Sequence, residues 1–427
     1  MQTRPTELNN EIHEMMLDIG RRARTASDQL ANASNEQKDM ALAKAAIMLR
    51  DNIDYIVDEN KKDLDYADKK QLSDAMIDRL RLDEGRIESM AAGLETICTI
   101  PDPVNRVLEE WERPNGLILQ KISVPIGVIG MIYESRPNVT ADAAALCIKS
   151  GNTAILRAGS ECIYSSQAIA RFIHEGLREA GLSQDAIQLV PTRDRAAVGE
   201  MLVMNEYIDV IIPRGGKSLT KRIRDESRIP TILHLDGNCH IYVHKNADIK
   251  MACDVVLNAK MRRAGICGAT ESLVVDRDIA KEVIPAIVDV LDKVGCEVRG
   301  DVESAKIDSR INLANDDDWY TEYLAPIISL RIVGGIDEAI AHVNKYGSHH
   351  TDAIISDDKN AARKFMREVN SSIVMHNTST QFADGGEFGF GAEIGISTGK
   401  LHARGPVGAQ HLTTYKYVVH GNGQVRP

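Results

Sequence analysis

The amino-acid sequence predicts an α/β protein with two domains. Its 427 residues exceed the size at which one hydrophobic core usually stops growing. Hydrophobic residues make up 43% of the chain but aromatic residues only 4%, so the cores should be aliphatic, as where helices cover a parallel sheet. Strand-like and helix-like segments also alternate over most of the chain, and this alternation is typical of right-handed βαβ units.

A helical segment comes first and a β-hairpin follows it. Residues 6–100 are rich in Ala, Leu, Met, Glu, Lys and Arg at helical spacing, and residues 34–37 (Ser-Asn-Glu-Gln) offer a capping box. Pro101 and Pro103 end this segment. In residues 104–123, two short alternating runs flank an Arg-Pro-Asn-Gly turn, which predicts a protruding hairpin.

Two series of strands and helices make up most of the remaining chain. The first predicts a doubly wound nucleotide-binding domain, with strands at residues 127–132, 153–156, 187–190 and 210–212 and helices at 141–149 and 167–180. The second predicts another α/β domain, with strands at residues 272–275, 327–330 and 353–355 and helices at 251–261, 279–294 and 338–343.

The chain closes on a Gly-rich stretch and a final β-run. Residues 412–419 can pair with the hairpin of their own chain or of a neighbouring subunit, and the sequence leaves both open. We therefore expect a first domain of residues 1–103 and 124–250, a second domain of residues 251–395, and a small β element of residues 104–123 and 396–427.

The composition argues against several classes of function. A formal net charge of −11 weighs against nucleic-acid binding, which needs a basic surface to neutralise phosphates. The opening residues lack the apolar core of a signal peptide, and no window approaches the ~18 uninterrupted apolar residues of a membrane span, so we expect a cytoplasmic protein. Seven scattered cysteines without a Cys-x-x-Cys pair indicate neither a disulfide framework nor a zinc site.

A glycine turn after the predicted strand at 210–212 resembles a phosphate-binding P-loop only at its end. Ile211 stands where the first glycine is needed and Pro213 removes a backbone donor, so an ATPase is not expected. The Gly-x-Gly-x-x-Gly fingerprint is absent as well. The turn still offers backbone amides and a lysine charge to an anion at a predicted helix start, through Gly215, Gly216, Lys217 and Ser218. An ordinary glycine turn with a solvated lysine is the equally weighted alternative.

A second turn of this kind follows the predicted strand at 153–156. It contains Arg157, Gly159 and Ser160. Open α/β sheets bind their ligands at the carboxyl ends of the strands, so two such turns in one sheet predict a ligand site there.

One cysteine has the surroundings of a nucleophile. Cys267 lies between Gly265 and Gly268, in the break between a predicted helix and strand, where a substrate can reach its sulfur. Positive charge favours the reactive thiolate form of a cysteine. Three cations precede Cys267 within seven residues, namely Lys260, Arg262 and Arg263. The alternative is the ordinary role of a free cysteine as a small buried hydrophobic residue.

Four segments carry a resemblance to a known family. They are residues 124–140 (VPIGVIGMIYESRPNVT), 234–240 (HLDGNCH), 258–271 (NAKMRRAGICGATE) and 384–398 (DGGEFGFGAEIGIST). In this order they resemble the gamma-glutamyl phosphate reductase family of the aldehyde dehydrogenase superfamily, and the likeness extends over nearly the whole chain.

The resemblance implies a reaction and the roles of the domains. The reaction is the NADPH-dependent reduction of L-glutamyl 5-phosphate to L-glutamate 5-semialdehyde with release of phosphate, a step of proline biosynthesis. The first domain would bind the cofactor, the second would carry the catalytic residue, and the small β element would form a homo-oligomer. A glutamate 5-kinase is implied as the source of the substrate.

The resemblance also implies roles for single residues. Cys267 matches the family's nucleophile, Arg157 the lysine near the adenine ribose, and Glu322 the glutamate that holds the nicotinamide ribose. Ser160 stands where NAD-preferring relatives carry an acidic residue, and the loss of that carboxylate fits a 2′-phosphate and hence NADP.

Departures from the family pattern bear on the chemistry. Ala264 and Gly268 stand where many members have proline and asparagine, and the second change removes a potential substrate contact. His234 occupies the position of the glutamate base of hydrolytic aldehyde dehydrogenases, so a thioester would be spared from water. Two alternatives remain: a phosphate-independent NAD(P)-dependent aldehyde dehydrogenase that makes a free acid, and a non-catalytic nucleotide-binding or scaffolding protein.

The remaining candidates have weaker support. Oxyanions formed during the reaction need donors, and the Cys267 backbone N–H and the Asn138 side chain are candidates. Arg262 and Arg263 are candidates for neutralising the departing phosphate, with a solvated helix end as the alternative. No metal is expected, because three histidines of suitable type lack the spacing and the carboxylate partners of a metal site: His349, His350 and His376.

Overall fold

The computed structural model describes residues 5–426, except for the side chains of residues 5–9 and 75. Residues 1–4, part of the opening run in which no signal peptide is predicted, lie outside the described residues. The chain divides into two compact units. Unit 1 holds the chain up to Leu233 with residues 389–395 and 407–427, and unit 2 holds residues 234–388 and 396–406.

The helices and strands of the described residues are numbered in chain order. The helices are α1 (Pro5–Ala31), α2 (Asn35–Asp51), α3 (Ile53–Lys69), α4 (Asp74–Leu80), α5 (Glu84–Cys98), α6 (Asn138–Lys149), α7 (Ile163–Glu179), α8 (Ala196–Val203), α9 (Lys217–Glu226), α10 (Ile249–Met261), α11 (Ala280–Asp292), α12 (Val302–Ile307), α13 (Ile336–Tyr346) and α14 (Lys359–Glu368). The strands are β1 (Val107–Glu112), β2 (Ile118–Pro125), β3 (Val128–Tyr133), β4 (Thr153–Ala158), β5 (Ile187–Leu189), β6 (Val210–Arg214), β7 (Cys239–Val243), β8 (Thr270–Asp276), β9 (Glu297–Gly300), β10 (Asn312–Leu313), β11 (Ile327–Val333), β12 (Thr351–Ile355), β13 (Ile373–His376), β14 (Ile396–Ser397), β15 (Gly405–Pro406) and β16 (Thr413–His420).

The predicted helical segment at the start of the chain is confirmed as α1 to α5. The capping box forms as predicted: the Ser34 hydroxyl accepts the Gln37 N–H at 3.3 Å, and the Gln37 side-chain oxygen accepts the Ser34 N–H at 3.1 Å. α2 packs against α5 and α7, with Leu42 and Leu49 fully buried. Tertiary burial of this apolar face, added to the cap, holds the helix in place.

Unit 1 contains the predicted doubly wound sheet. Its four strands run parallel in the order β5-β4-β3-β6, so the direction of winding reverses between β3 and β6. The ligands of open α/β sheets bind outside the carboxyl ends of the strands near such a reversal. The two predicted glycine turns follow β4 and β6 and therefore lie at this edge of the sheet.

The predicted hairpin is confirmed, and the final strand pairs with it in the same chain. β1 and β2 are antiparallel and are joined by a turn in which Gly116 has a φ of 82°, a left-handed conformation that favours glycine. β16 pairs with β2 along its whole length, from Thr413 opposite Pro125 to His420 opposite Ile118. This pairing gives a three-stranded antiparallel sheet in unit 1.

Unit 2 is built on a seven-stranded parallel sheet in the order β10-β9-β11-β8-β7-β12-β13. Aliphatic side chains from the central strands and from α10 and α11 form its largest core, in which Ile241, Val256, Leu273, Ile284 and Leu330 are fully buried. A separate pair of short strands, β14 and β15, is antiparallel. The predicted α/β class of the second series is confirmed.

The boundary between the units differs from the one that the sequence predicts. The structure divides the chain after Leu233, whereas the sequence predicts a division after residue 250. The difference is due to β7, a run of Cys-His-Ile-Tyr-Val without clear alternation, which pairs with β8 and β12. Residues 396–406 also belong to unit 2, so only the later part of the predicted β element joins the hairpin. Among the described residues, every helix is too short or too polar to cross a membrane.

Candidate active site

Cys267 lies in a short loop before a central strand of unit 2. α10 ends at Met261 and β8 begins at Thr270, and β8 lies between β11 and β7 in the sheet. The thiol is free and the residue is partly exposed to solvent. Cys147, Cys162, Cys239, Cys253 and Cys296, in contrast, are buried. The position therefore fits a reactive cysteine better than a core residue.

A buried ion pair holds both ends of this loop. The Lys260 ammonium in the last turn of α10 pairs with the Glu271 carboxylate near the start of β8, and both side chains are fully buried. Glu271 also accepts the backbone N–H of Leu324 at 3.3 Å. Lys260 is therefore a structural cation, and its predicted effect on the Cys267 thiolate stays a prediction. The two arginines of the loop are placed differently: Arg262 donates to the Gln381 side-chain oxygen at 3.1 Å, and Arg263 is exposed.

Two imidazole rings lie beside the cysteine. One ligand atom from each of His234, Cys267 and His350 forms a group in which all three atoms are within 4.8 Å of one another. The two rings meet edge to face, with centroids 5.2 Å apart. The Nδ1 of His234 lies 2.8 Å from the backbone oxygen of Ile396, so β14 fixes the orientation of this ring. From the sequence, His350 is one of three histidines that are rejected as metal ligands, and its position near Cys267 is not predicted.

A glycine brings two segments of backbone into contact at the cysteine. A Cβ atom at Gly237 would come within 2.1 Å of the backbone oxygen of Cys267, so only glycine fits there. The Glu322 carboxylate accepts the Gly237 N–H at 2.9 Å, and the Cys239 thiol donates to the Cys267 backbone oxygen at 3.1 Å. Burial raises the pKa of the Cys239 thiol well above its usual value, so this donor keeps its proton. Glu322 therefore holds the loop that carries His234, a role that the sequence does not predict.

A buried arginine lies near the end of β4 in unit 1, just before the glycine turn. Arg157 is 6% exposed and donates to the backbone oxygens of Ala158 at 2.6 Å and Arg193 at 3.1 Å. Its Nε is buried and has no hydrogen-bond partner among the described residues, and burial lowers the pKa of the guanidinium. Arg193 in turn donates to the backbone oxygen of Ser160 at 2.8 Å. Arg157 and Ser160, both predicted to contact the cofactor, thus lie on either side of the end of β4, and Arg193 is bound beside them.

The Gly159 and Glu161 positions complete this turn. A Cβ atom at Gly159 would come within 2.2 Å of a Glu161 carboxylate oxygen, so the backbone and the carboxylate are in close contact. The same carboxylate oxygen accepts both the N–H and the hydroxyl of Ser135, at 2.6 and 2.9 Å. Glu161 is therefore held by Ser135, which follows β3, and its charge is satisfied within the protein.

The turn after β6 binds a carboxylate from another part of the protein. The Glu134 carboxylate accepts the N–H of Gly216 at 2.9 Å, and a Cβ atom at Gly215 would come within 2.6 Å of the same oxygen. Lys217 and Ser218 are exposed in the first turn of α9. One of the amide donors that the sequence offers to a ligand phosphate is therefore used by Glu134. The predicted role of this turn in cofactor binding stays a prediction.

Asn138 is also engaged within the protein. Its side-chain amide donates to the Asp142 carboxylate at 2.9 Å, one turn along α6. This bond uses a donor that the sequence offers to an oxyanion, and that role stays a prediction.

Known proteins share this chain's sequence and fold. The sequence profile of the aldehyde dehydrogenase family matches residues 10–308 and 311–418. A gamma-glutamyl phosphate reductase of Rhodospirillum rubrum is 56% identical over 98% of this chain and 98% of its own, and one of a Methylobacterium species is 55% identical over 100% and 99%. The crystal structure of gamma-glutamyl phosphate reductase from Thermotoga maritima is 43% identical and matches with a TM-score of 0.95 over 96% of this chain and 100% of that chain. The chain has the aldehyde dehydrogenase fold and belongs to the aldehyde dehydrogenase family, within its group of gamma-glutamyl phosphate reductases.

Proposed function

We propose that this protein reduces L-glutamyl 5-phosphate to L-glutamate 5-semialdehyde and releases phosphate, as a step of proline biosynthesis from glutamate. The observation that carries the proposal is the partly exposed Cys267 thiol, held in a loop that is fixed on both sides and lies beside two imidazoles. The high identity to enzymes named gamma-glutamyl phosphate reductase supports the substrate.

The chemistry follows from the nucleophile. The Cys267 sulfur attacks the carbonyl carbon of the acyl phosphate, the bond from carbon to the phosphate oxygen breaks, and a thioester remains on the enzyme. NADPH supplies a hydride when it is bound. The reduced adduct then releases the aldehyde, and the sulfur is restored. The protein must bind the acyl group, orient the sulfur and keep water away from the thioester.

Protection of the thioester depends on what lies beside it. Hydrolytic aldehyde dehydrogenases activate water with a glutamate, whereas this chain has His234 at that position. The Nδ1 of His234 is bound to the Ile396 backbone oxygen, which holds the ring in place. Phosphate, not water, should therefore be the acceptor of the acyl group in the reverse direction.

The reverse reaction distinguishes the proposed enzyme from an ordinary aldehyde dehydrogenase. Glutamate 5-semialdehyde mixed with NADP should produce NADPH only when phosphate is present, because phosphate must take the acyl group from Cys267. The measurement is nicotinamide absorbance with and without phosphate, with sulfate at equal ionic strength as the control. Equal rates in the two buffers would instead show a phosphate-independent dehydrogenase that makes a free acid.

For the cofactor, we propose NADPH bound at the carboxyl edge of the unit 1 sheet. In doubly wound folds, the residues after the second strand meet the adenine ribose, and a nearby arginine accommodates a 2′-phosphate. β4 is the second strand of this sheet in chain order, Arg157 lies near its carboxyl end, and Ser160 follows it. The buried, unpartnered Nε of Arg157 fits an anion, because an anion would offset the desolvation of the guanidinium.

Replacing Ser160 with glutamate is expected to turn the preference from NADPH towards NADH. A carboxylate next to the 2′-phosphate should raise the Kd for NADPH by about 10- to 100-fold through like-charge repulsion, with little change for NADH. Fluorescence titration of both cofactors measures the effect, with the exposed Ser89 to glutamate variant on α5 as the matched control. A uniform loss for both cofactors would count against a 2′-phosphate at this turn.

The other parts of the chain receive roles by the same reasoning. We propose unit 1 as the cofactor-binding unit, unit 2 as the catalytic unit, and the three-stranded sheet as the surface that forms a homo-oligomer. The sheet exposes large side chains that a partner copy would cover, namely Val107, Leu108, Tyr415, Tyr417 and Val419. Sedimentation velocity measures the oligomeric state.

The seven free thiols support a reducing, cytoplasmic location. Supply of the substrate by a glutamate 5-kinase stays a prediction.

A further inference from the structure

The residue next to the Cys267 sulfur is a histidine with a defined tautomer. The Nδ1 of His234 lies 2.8 Å from the backbone oxygen of Ile396. A carbonyl oxygen can only accept, so Nδ1 carries the hydrogen of the neutral ring and Nε2 holds the lone pair. The cysteine sulfur and a ring nitrogen of His234 are within 4.8 Å of each other. A nucleophile, a base and a group that orients the base are therefore in place.

We propose that His234 is the base that removes the Cys267 proton and passes it to the departing phosphate. This rests on the proposed acyl phosphate substrate. It adds a catalytic residue to that reaction, at the position where hydrolytic aldehyde dehydrogenases use a glutamate to activate water.

The geometry favours His234 over the second imidazole. His350 is fully buried, and its Nδ1 lies 2.9 Å from the Thr351 hydroxyl and 3.6 Å from the Cys239 sulfur. His234 is partly exposed, so it can exchange a proton with solvent after each turnover. His350 packs edge to face against the His234 ring and is a positioning residue.

The other titratable groups near Cys267 and His234 have other roles or positions. Burial raises the pKa of the Cys239 thiol, which keeps its proton and donates to the Cys267 backbone oxygen. Glu322 accepts the Gly237 N–H, and Asp236 lies two residues beyond His234 on the same loop. Lys260 is paired with Glu271. Of these groups, His234 is the partly exposed base that lies near the Cys267 sulfur.

The proton balance of the reaction is met by this assignment. Nε2 of His234 takes the thiol proton as the Cys267 sulfur forms its bond to the acyl carbon. The bond from carbon to the phosphate oxygen breaks, and that oxygen takes the electron pair together with the proton from Nε2, so phosphate leaves as the hydrogen phosphate dianion. After hydride addition to the thioester, the carbon–sulfur bond breaks, the aldehyde leaves and the thiolate takes a proton from solvent through His234. One proton is consumed per turnover.

The test uses the chemistry of the thiol and needs no acyl phosphate. In the whole chain, alkylation of Cys267 by iodoacetamide is followed by mass spectrometry of the peptide that carries it. The variant His234→Asn keeps a donor for the Ile396 oxygen and removes the distal nitrogen. Its alkylation rate at about pH 6.5 should fall at least about tenfold from the wild-type rate, while the rates near pH 10 should agree. His13→Asn is the matched control, because His13 is an exposed histidine on α1 paired with Glu200, and it should keep the wild-type rate.

Turnover and chemical rescue complete the test. The reductase activity of His234→Asn should fall by about 10²-fold or more. The activity of His234→Ala should rise again with added imidazole, which distinguishes loss of a base from loss of fold. Added chelator should leave the wild-type enzyme unchanged. The proposal is overturned if His234→Asn is alkylated within twofold of wild type at about pH 6.5, if His350→Gln alone causes the loss, or if chelator abolishes activity.

The outcomes also separate this inference from the proposed function. If the acyl phosphate assignment is wrong, phosphate dependence disappears but the loss of thiol reactivity in His234→Asn persists. If the His234 assignment is wrong, the phosphate-dependent reaction remains and the variant's thiol reacts like the wild type.

Discussion

Replacing Cys267 with alanine is expected to reduce turnover by about 10⁴-fold or more, because the variant has no atom that can form the thioester. Cofactor affinity should change little, since Arg157 and Ser160, the proposed contacts of the adenine ribose and its phosphate, are in unit 1 and Cys267 is in unit 2. The measurements are the initial rate of NADPH oxidation with the acyl phosphate and a separate fluorescence titration of NADPH.

The matched control is Cys98→Ala. Cys98 is the other cysteine that is partly exposed, at the end of α5, where burial raises the pKa of its thiol. This variant should keep close to full activity. Residual activity above about 1% in a purified Cys267→Ala protein would contradict the covalent mechanism, whatever the result with Cys98.

Replacing Lys260 with methionine is expected to lower the free energy of unfolding by about 3–5 kcal/mol. The substitution keeps most of the side-chain volume but leaves the Glu271 carboxylate buried without its cation. The double variant Lys260→Met with Glu271→Leu should recover much of the loss, because it removes both charges. Urea unfolding followed by circular dichroism measures the three free energies.

The exposed pair of Lys250 and Asp254 in the same helix, α10, provides the control. Its nitrogen and oxygen are 2.6 Å apart, but both side chains are largely in water, so Lys250→Met should leave the unfolding curve essentially unchanged. Equal effects of the two lysine substitutions would show that burial does not decide the strength of the Lys260 pair.

The fold class could be predicted well from local patterns. The helical start, the hairpin with its Arg-Pro-Asn-Gly turn, and most helices and strands of both units follow from periodicity and turn residues that act over a few positions. Short strands without alternation were harder to predict. The sequence does not predict β7, and the predicted boundary therefore differs from that of the compact units, because only the pairing of β7 with β8 and β12 assigns it to unit 2.

The candidate site was predicted in part. The sequence predicts Cys267 as the nucleophile because two glycines and a break between helix and strand are local signals. The sequence does not predict that Glu271 pairs with Lys260 or that Glu134 accepts the Gly216 N–H, because these groups meet only in the folded chain. Asn138 shows the same limitation, because the sequence does not reveal that its amide is engaged by Asp142.

The sequence by itself determined the α/β class, the family and the choice of Cys267 as the candidate nucleophile, because these depend on residue types at short spacings. The tertiary structure alone decided which groups surround that sulfur. His234, Glu322 and His350 are separated from Cys267 by 33, 55 and 83 residues in the chain, and the pairing of parallel strands brings His234 and His350 beside it. Parallel strands all begin at the same edge of the sheet, whatever the length of the connections between them. The distance along the chain therefore does not reveal which residues become neighbours at that edge.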